Sequence, residues 1–337
     1  MAKRRSVVAN FFELGWQVPI RSMIRPIVDS PITMLVFALV SGCAAPIVEN
    51  PKGQADFSTR CADPNVIRCF GFEKKELSLN GGPIAWSAHA ASVGTFVNGM
   101  DDGTDLSGRV ELAVDQKASG ESSLKFYMPS QTGAGFAGQF YANFSDDYSV
   151  QFGEGETFYV QWRQRFSQAF LKNRYLPHSN WKQVIVGEGN RPGSPAWSCT
   201  QLELVVYQGN LGYPSMYHSC RGKDGQSEGI YQSWSVDYEA DQWMTFQLIV
   251  KIGTWYKNDR KYHNDSLIEL WVAREGEPSR QIISHKYDLA NNNPLAKYGK
   301  VWLLPFLTGK DASQVHADAH TWYDELIISR APIADPI

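Results

Sequence analysis

The chain has 337 residues, 43% of them hydrophobic, and a formal net charge of −3. This excludes a disordered protein and leaves room for one large domain or two small ones. The near-neutral balance gives no support for broad nucleic-acid binding, which needs a basic surface; it leaves room for a local basic groove, but no nucleic-acid partner is expected. Aromatic residues make up 13% of the chain, with 28 glycines and 17 prolines, a composition that favours short strands joined by frequent turns.

At the N-terminus, Ile32 to Val40 form an apolar run too short to span a bilayer as a helix. Lys3, Arg4, Arg5, Arg21 and Arg25 precede it and small residues follow, which is the layout of a secretory leader. Val40-Ser41-Gly42-Cys43 resembles a bacterial lipobox, which implies lipidation of Cys43 and a leader over residues 1–43. The basic region is long for such a leader, which points to Met23 as the start. Ala44, standing where an inner-membrane retention signal would carry Asp, implies the outer membrane. The alternative is an ordinary cleaved leader with an incidental cysteine. Residues 44–65, polar and containing proline, read as a tether ahead of a folded domain at 66–335 that acts as a monomer. Cys61, Cys69, Cys199 and Cys220 then remain, and four cysteines in an exported chain suggest two disulfides, with Cys61–Cys69 and Cys199–Cys220 the local pairing. Nothing has the spacing of a structural zinc site.

Strands are predicted at 122–128, 138–144, 158–166, 181–187, 201–208, 215–220, 243–253, 266–273, 300–307 and 321–329. Only Gln164 to Tyr175 permits a helical turn or two. The regular spacing of many short strands predicts an all-β sandwich or jelly roll. Side chains alternate between the faces of a strand, so in 158–166 Phe158, Val160, Trp162 and Phe166 seek a core while Tyr159, Gln161, Arg163 and Arg165 share the other face. Gln247 and Lys251 stand opposite Phe246, Leu248, Val250 and Ile252; Gln201, Glu203 and Tyr207 stand opposite Leu202, Leu204 and Val206. These strands are expected to present one shared outer face of rings, amides and guanidiniums, a mixture suited to acidic sugars.

The segments 243–253, 266–277, 300–310 and 321–333 resemble the concanavalin A-like jelly roll of carbohydrate-active proteins. Within it, Phe158–Leu171, Asn180–Gly189 and Leu202–Gln208 look most like jelly-roll polysaccharide lyases of the alginate, glucuronan and heparin lyase I types, over residues 68–335. The paired carboxylates of the glucanases sharing this fold are missing, which argues against hydrolysis. The resemblance implies β-elimination on an anionic polysaccharide, in which a bound uronate carboxylate is neutralised so that its C5 proton can be removed. Arg163, Arg165 and Gln183 are the candidate neutralisers, and His218, Tyr207 and Tyr217 the candidate base and acid. Gln161, Glu203, Lys251, Trp255 and Tyr256 are further candidates for holding substrate. Arg163→Ala is accordingly expected to weaken activity far more than folding. The alginate lyases of this fold carry Gln-Ile/Val-His and Tyr-Phe-Lys-x-Gly-x-Tyr. Here Ile185 replaces that histidine, and Val250–Tyr256 echoes the second motif imperfectly.

Against each role stands a structural alternative: an ion pair for Arg163 and Arg165, a hydrogen-bonded structural histidine for His218, and a plain strand residue for Gln183. Trp162, Trp271 and Trp322 are read as core, and Trp255 as the better stacking platform. Sandwiches of this superfamily often hold one structural Ca²⁺, and Glu73, the carbonyl of Gly120 and Asp324 match that arrangement of oxygen ligands. The alternate residues His316, Asp318 and His320 form a weaker metal pattern. No organic cofactor is implied. The competing function is a non-catalytic, lectin-like lipoprotein using the same face, and a third is an outer-membrane scaffold that binds no sugar.

Overall fold

The computed structural model describes residues 51–73, 76, 85–86, 99–101, 110–135, 137–145, 147, 149–178, 180–188, 201–207, 213–219, 230–231, 238–255, 263–289, 295 and 297–337. Cys43, Tyr256 and the expected Cys199–Cys220 bridge lie outside them.

Helix α1 (Pro51–Cys61) is followed by strands β1 (Val66–Phe70), β2 (Ala85–Trp86), β3 (Gly99–Asp101), β4 (Val110–Ala113), β5 (Ser123–Met128) and β6 (Gln139–Asn143). Next come β7 (Thr157–Phe166), the short helix α2 (Gln168–Lys172), β8 (Asn180–Glu188), β9 (Gln201–Tyr207), β10 (Tyr213–Ser219) and β11 (Ile230–Tyr231). The chain ends with β12 (Trp243–Lys251), β13 (Ser266–Ala273), β14 (Arg280–Tyr287), β15 (Tyr298–Leu303) and β16 (Ala319–Ser329). The ten predicted strands all form, within a few residues of their expected ends. Helix α2 is the predicted helical turn, and Ser167 caps it by accepting the amide proton of Phe170. The edge strand β14 went unpredicted because its outward positions, Arg280, Gln281, Ser284, His285 and Lys286, are exposed and polar and leave little apolar alternation.

Two eight-stranded sheets result. The first runs β14-β13-β12-β7-β16-β5-β4, with β1 also paired to β16; the second runs β11-β10-β9-β8-β15-β6-β3-β2. All pairs are antiparallel except β2 with β3, so the all-β sandwich of two antiparallel sheets is what forms. Alternation sends Phe158, Val160, Trp162 and Phe166 of β7 into the core, where they meet Trp181, Val184 and Val186 of β8 and Leu202, Leu204 and Val206 of β9. The Trp162 and Phe246 rings stack at 5.4 Å, and Phe166 lies 5.5 Å from Trp181. Apolar burial at roughly 25 cal/mol per Å² makes this interlayer the main source of stability.

A thread of amides ties the sheets together inside this apolar layer. Gln183 Nε2 donates to Gln164 Oε1 at 2.8 Å, and Gln164 Nε2 donates to Thr321 Oγ1 at 2.9 Å. Tyr238 donates to Gln183 Oε1 at 2.7 Å, and Tyr323 donates to its backbone carbonyl at 2.8 Å. Fully satisfied, such a chain is compatible with a core and fixes its register.

The outer face of the first sheet is covered near β7 and β16 by the two ends of the described chain. Half of the expected tether is helix α1, with proline at its start where the missing amide proton does no harm. Phe57 of α1 packs with Ile327 and Ile333, and a Cys61–Cys69 disulfide fastens α1 to β1. Arg60 donates to Gln161 Oε1 at 2.8 Å, to Asp56 at 2.9 Å, and to the fully buried carboxylate of Glu325. On the C-terminal side, Gln161 donates to the Ala334 carbonyl, and Gln247 exchanges two hydrogen bonds with Ile333. Removing one partner of a buried ion pair leaves the other charge uncompensated, which typically costs about 3–5 kcal/mol. Arg60→Ala is therefore expected to lower unfolding stability by about that amount, measured by urea denaturation, whereas Lys52→Ala on the exposed side of α1 should leave it within about 0.5 kcal/mol.

Candidate functional site

The topology divides the residues expected to share one face. Strands β7 and β12 belong to the first sheet and β8, β9 and β10 to the second, so no common surface unites Arg163, Gln247 and Glu203. Arg163 is buried on the outer face of the first sheet, with its guanidinium 3.7 Å from Glu325 and 3.6 Å from Glu275. Arg165 lies 3.9 Å from Asp241. Gln161 is buried beneath α1. The ion-paired reading of the two arginines is the one the structure favours. Their close spacing is tolerated because each faces carboxylates of its own.

The remaining candidates scatter. Gln183 points into the core, in the amide thread above. The pairing of β8 with β9 shifts register between Lys182 and Val184, a bulge that turns Gln183 inward alongside Val184. His218 pairs with Leu202 and shares the parity of Met216, which places it on the core side, 1% exposed. Trp255 is buried against Tyr298, with ring centres 5.2 Å apart, and offers no stacking surface. Lys251 is exposed at the end of β12, opposite Thr157. Tyr207 pairs with Asn180 and Tyr213, and Tyr217 with Glu203.

The carboxylates expected to bind calcium instead fasten one loop. Asp324 Oδ2 accepts the amides of Ala118 and Ser119, and Oδ1 accepts that of Glu325. Burial, reinforced by the neighbouring Glu325, pushes the Asp324 acid well above the usual carboxylate range. Glu73 accepts the Glu121 amide at 2.8 Å. It lies so close to Gly120, whose φ is +62°, that a Cβ there would sit 1.6 Å from its Oε1. Asp324 thus spends its lone pairs on amides, and the set does not fit a calcium ion. His316 is held by Ala317 and Asn173, while His320 stacks on Tyr127. Among the described residues, no group of three or more His, Cys, Asp or Glu side chains has the placement to hold a metal.

The second sheet has an outer face of a different kind. One row across it runs Tyr141, Trp302, Ile185, Glu203 and position 217 on five successive strands. Tyr141, Ile185, Trp302 and Leu304 form a cluster with Phe306 against it. On one side of the row, Lys182 Nζ lies 2.6 Å from Glu203 Oε2 and 5.2 Å from the Phe306 ring. On the other side, beside Gly187, Lys300 is fully buried with its Nζ 4.7 Å from the Trp302 ring and 5.8 Å from that of Tyr141. Burial pulls the Lys300 ammonium down to about 7, with Glu188 restoring part of the loss. A lysine kept between rings at a pKa near neutrality is unusual in a purely structural role, because the protein gains nothing from desolvating the charge.

Sequence reasoning passed over Lys300 because it sits in an apolar strand. Its signal was the alternation Lys300-x-Trp302-x-Leu304, with a cation on the side opposite Val301 and Leu303. On β15, one of the two neighbours of β8, Tyr298, Lys300 and Leu304 have the spacing of the Tyr, Lys and second Tyr sought at Val250–Tyr256, but leucine replaces the second tyrosine and a register shift after Tyr298 leaves that ring in the core.

Two expectations follow. Below about pH 7 both folded and unfolded chains hold the Lys300 proton, and the burial penalty is present in full. Between about 7 and the ordinary 10.5 only the unfolded chain holds it, so this group's penalty fades as pH rises. Lys300→Met should therefore be more stable than the native chain at pH 6, by on the order of a few kcal/mol, and the difference should shrink at pH 9.5, read by urea denaturation at each pH. Arg163→Ala should lower stability in the same denaturation assay, because it leaves the buried Glu325 short of a partner, whereas the sequence reading expected little effect on folding.

No protein-family model and no curated protein matches the chain. Among solved structures it is similar to a marine PL-14 alginate lyase from Aplysia kurodai, at 12% identity over 79% of this chain and 99% of that one, with a TM-score of 0.53. It is also similar to an endo-β-1,4-glucuronan lyase from the fungus Trichoderma reesei (14% identity, 67% and 89% coverage, TM-score 0.45). A third likeness is to an alginate lyase from Chlorella virus (12% identity, 73% and 98% coverage, TM-score 0.45). At such identities the likeness speaks for the fold: the chain is a jelly-roll sandwich of the kind found in the Aplysia alginate lyase.

Proposed function

We propose that the protein binds an acidic, uronate-containing polysaccharide on the outer face of its second sheet and cleaves it by β-elimination. The observation that carries this reading is the buried Lys300 between the Trp302 and Tyr141 rings, on a sandwich shared with a uronate lyase. The ammonium form of Lys300 pairs with the uronate carboxylate and draws charge from it, which acidifies the neighbouring C5 proton. Loss of that proton forms the C4–C5 double bond as the C4–O bond breaks, and the departing oxygen takes up a proton. Tyr217, in register with Glu203 and in the row of Trp302, is assigned the proton exchange. The apolar row supplies the low-dielectric surroundings in which a single cation counts for most.

Ile185 and Leu304 give specific support to a second reading, non-catalytic binding of the same polysaccharide. They fill the positions of the motif histidine and second tyrosine with groups that exchange no proton. Export and lipid attachment at Cys43 complete the proposal.

Incubation with alginate, glucuronan, pectate, hyaluronan and heparin separates the two readings by the ultraviolet absorbance of the unsaturated product. The lyase reading expects a rise on at least one substrate and its loss, by a factor of about 10² or more, in Lys300→Met. Binding with no absorbance change would establish the lectin, and a native rate in Lys300→Met would remove the lysine from the site.

A further inference from the structure

Trp271, expected from sequence to lie in the core, stands outside it. Its strand neighbours Leu270 and Val272 belong to the core, so alternation turns Trp271 to the outer face of the first sheet, where it is partly exposed. There it lies between Gln247 of β12 and Gln281 of β14. Its indole Nε1 donates to Glu269 Oε2 at 3.1 Å, which orients the ring, and among the described residues the other carboxylate oxygen has no partner. Glu269 is paired in turn with Ser284. The pairing of β13 with β14 shifts register between Leu270 and Trp271. This bulge lets Ile282 and Ile283 both be buried while Gln281 and Ser284, three residues apart, are both exposed on the outer face. A ring held by a carboxylate is thus bordered by an exposed amide and an exposed hydroxyl, within about 7 Å along the strand.

These groups suit a sugar better than a protein. An indole offers a flat apolar surface to the C–H face of a pyranose, and the amide, hydroxyl and carboxylate exchange hydrogen bonds with its hydroxyls. A docking protein strand is opposed by the edge itself, because β14 exposes Arg280, His285 and Lys286. The charge in contact with the ring is negative, and Lys251 and Lys286 stand a row further on, either side of Leu267. A neutral sugar gives a hydroxyl proton to Glu269, whereas a uronate sets its own carboxylate against it. We infer that Trp271, Glu269, Gln281 and Ser284 form a second saccharide site, for a neutral, hydroxyl-bearing polysaccharide. The site belongs to the first sheet and shares no residue with the lysine and rings of the second. Its role is attachment: a protein held here keeps its second sheet open to an acidic chain in the same matrix.

The Trp271 indole proton, followed by nuclear magnetic resonance in the full chain and assigned by its loss in Trp271→Phe, reports on this site alone. The probes are cello-, manno- and chito-hexasaccharides and a glucuronate hexasaccharide. At least one neutral probe is expected to shift the signal with saturation below about 10 mM, and the glucuronate probe to leave it in place. Gln281→Ala, a change of an exposed side chain that spares the fold, should weaken the neutral probe about fivefold. Lys300→Met should bind that probe as the native chain does, and Trp271→Ala should keep any native rate on a soluble uronate polymer. A Trp271 signal that no neutral probe moves, or that glucuronate moves as readily, would overturn the inference. Neither result bears on the lyase reading, which the absorbance assay tests separately.

Discussion

The arrangement of this molecule depends on one inter-sheet contact, the hydrogen bond from Gln183 to Gln164 at the centre of the sandwich. Strand alternation would send Gln183 outward with Ile185, into the row of Trp302 and Glu203. The bulge at Lys182–Val184 turns it inward instead, where Gln164, Tyr238 and Tyr323 satisfy its polar groups. The same bulge keeps Lys182 and Ile185 both on the outer side, although they are three residues apart. An amide committed to the core thus sets which side chains the second sheet offers to the outside.

The two outer faces then diverge in use. On the first sheet, charge is consumed internally: Arg60, Arg163 and Glu325 hold α1 and the strand ends together, and α1 is further secured by the Cys61–Cys69 bridge. Guanidiniums locked by carboxylates are unavailable to a ligand. On the second sheet, Lys300 is buried beside the Trp302 and Tyr141 rings, and Glu188 offsets only part of its desolvation. The lysine carries a stability cost, and such costs concentrate where function demands them.

Much of the fold was legible from residue patterns because alternation is local. The faces of 158–166, 202–206 and 243–252 were assigned correctly as inward and outward, and the Cys61–Cys69 bridge and the α2 turn were foreseen. Which outward faces belong together was illegible, because sheet membership is decided by long-range pairing: Arg163 and Glu203 both point outward, but on opposite sides of the molecule. The inward turn of Gln183 was hidden for a related reason, since a bulge breaks the parity on which the reading rests. His218 was misjudged because an isolated histidine carries no sign of its face, whereas its partner Leu202 does. Lys300 left a faint trace, a cation in phase with Trp302 and Leu304 in a strand of otherwise apolar residues.

The central claim, that Lys300 meets an acidic sugar on the second sheet, is tested most directly by following the Lys300 side-chain amine by nuclear magnetic resonance across pH. The account predicts titration near 7 in the free protein and an upward shift when a uronate oligosaccharide binds, because the ligand carboxylate favours the ammonium form. Titration near the ordinary lysine value, or a midpoint indifferent to the oligosaccharide, would contradict it.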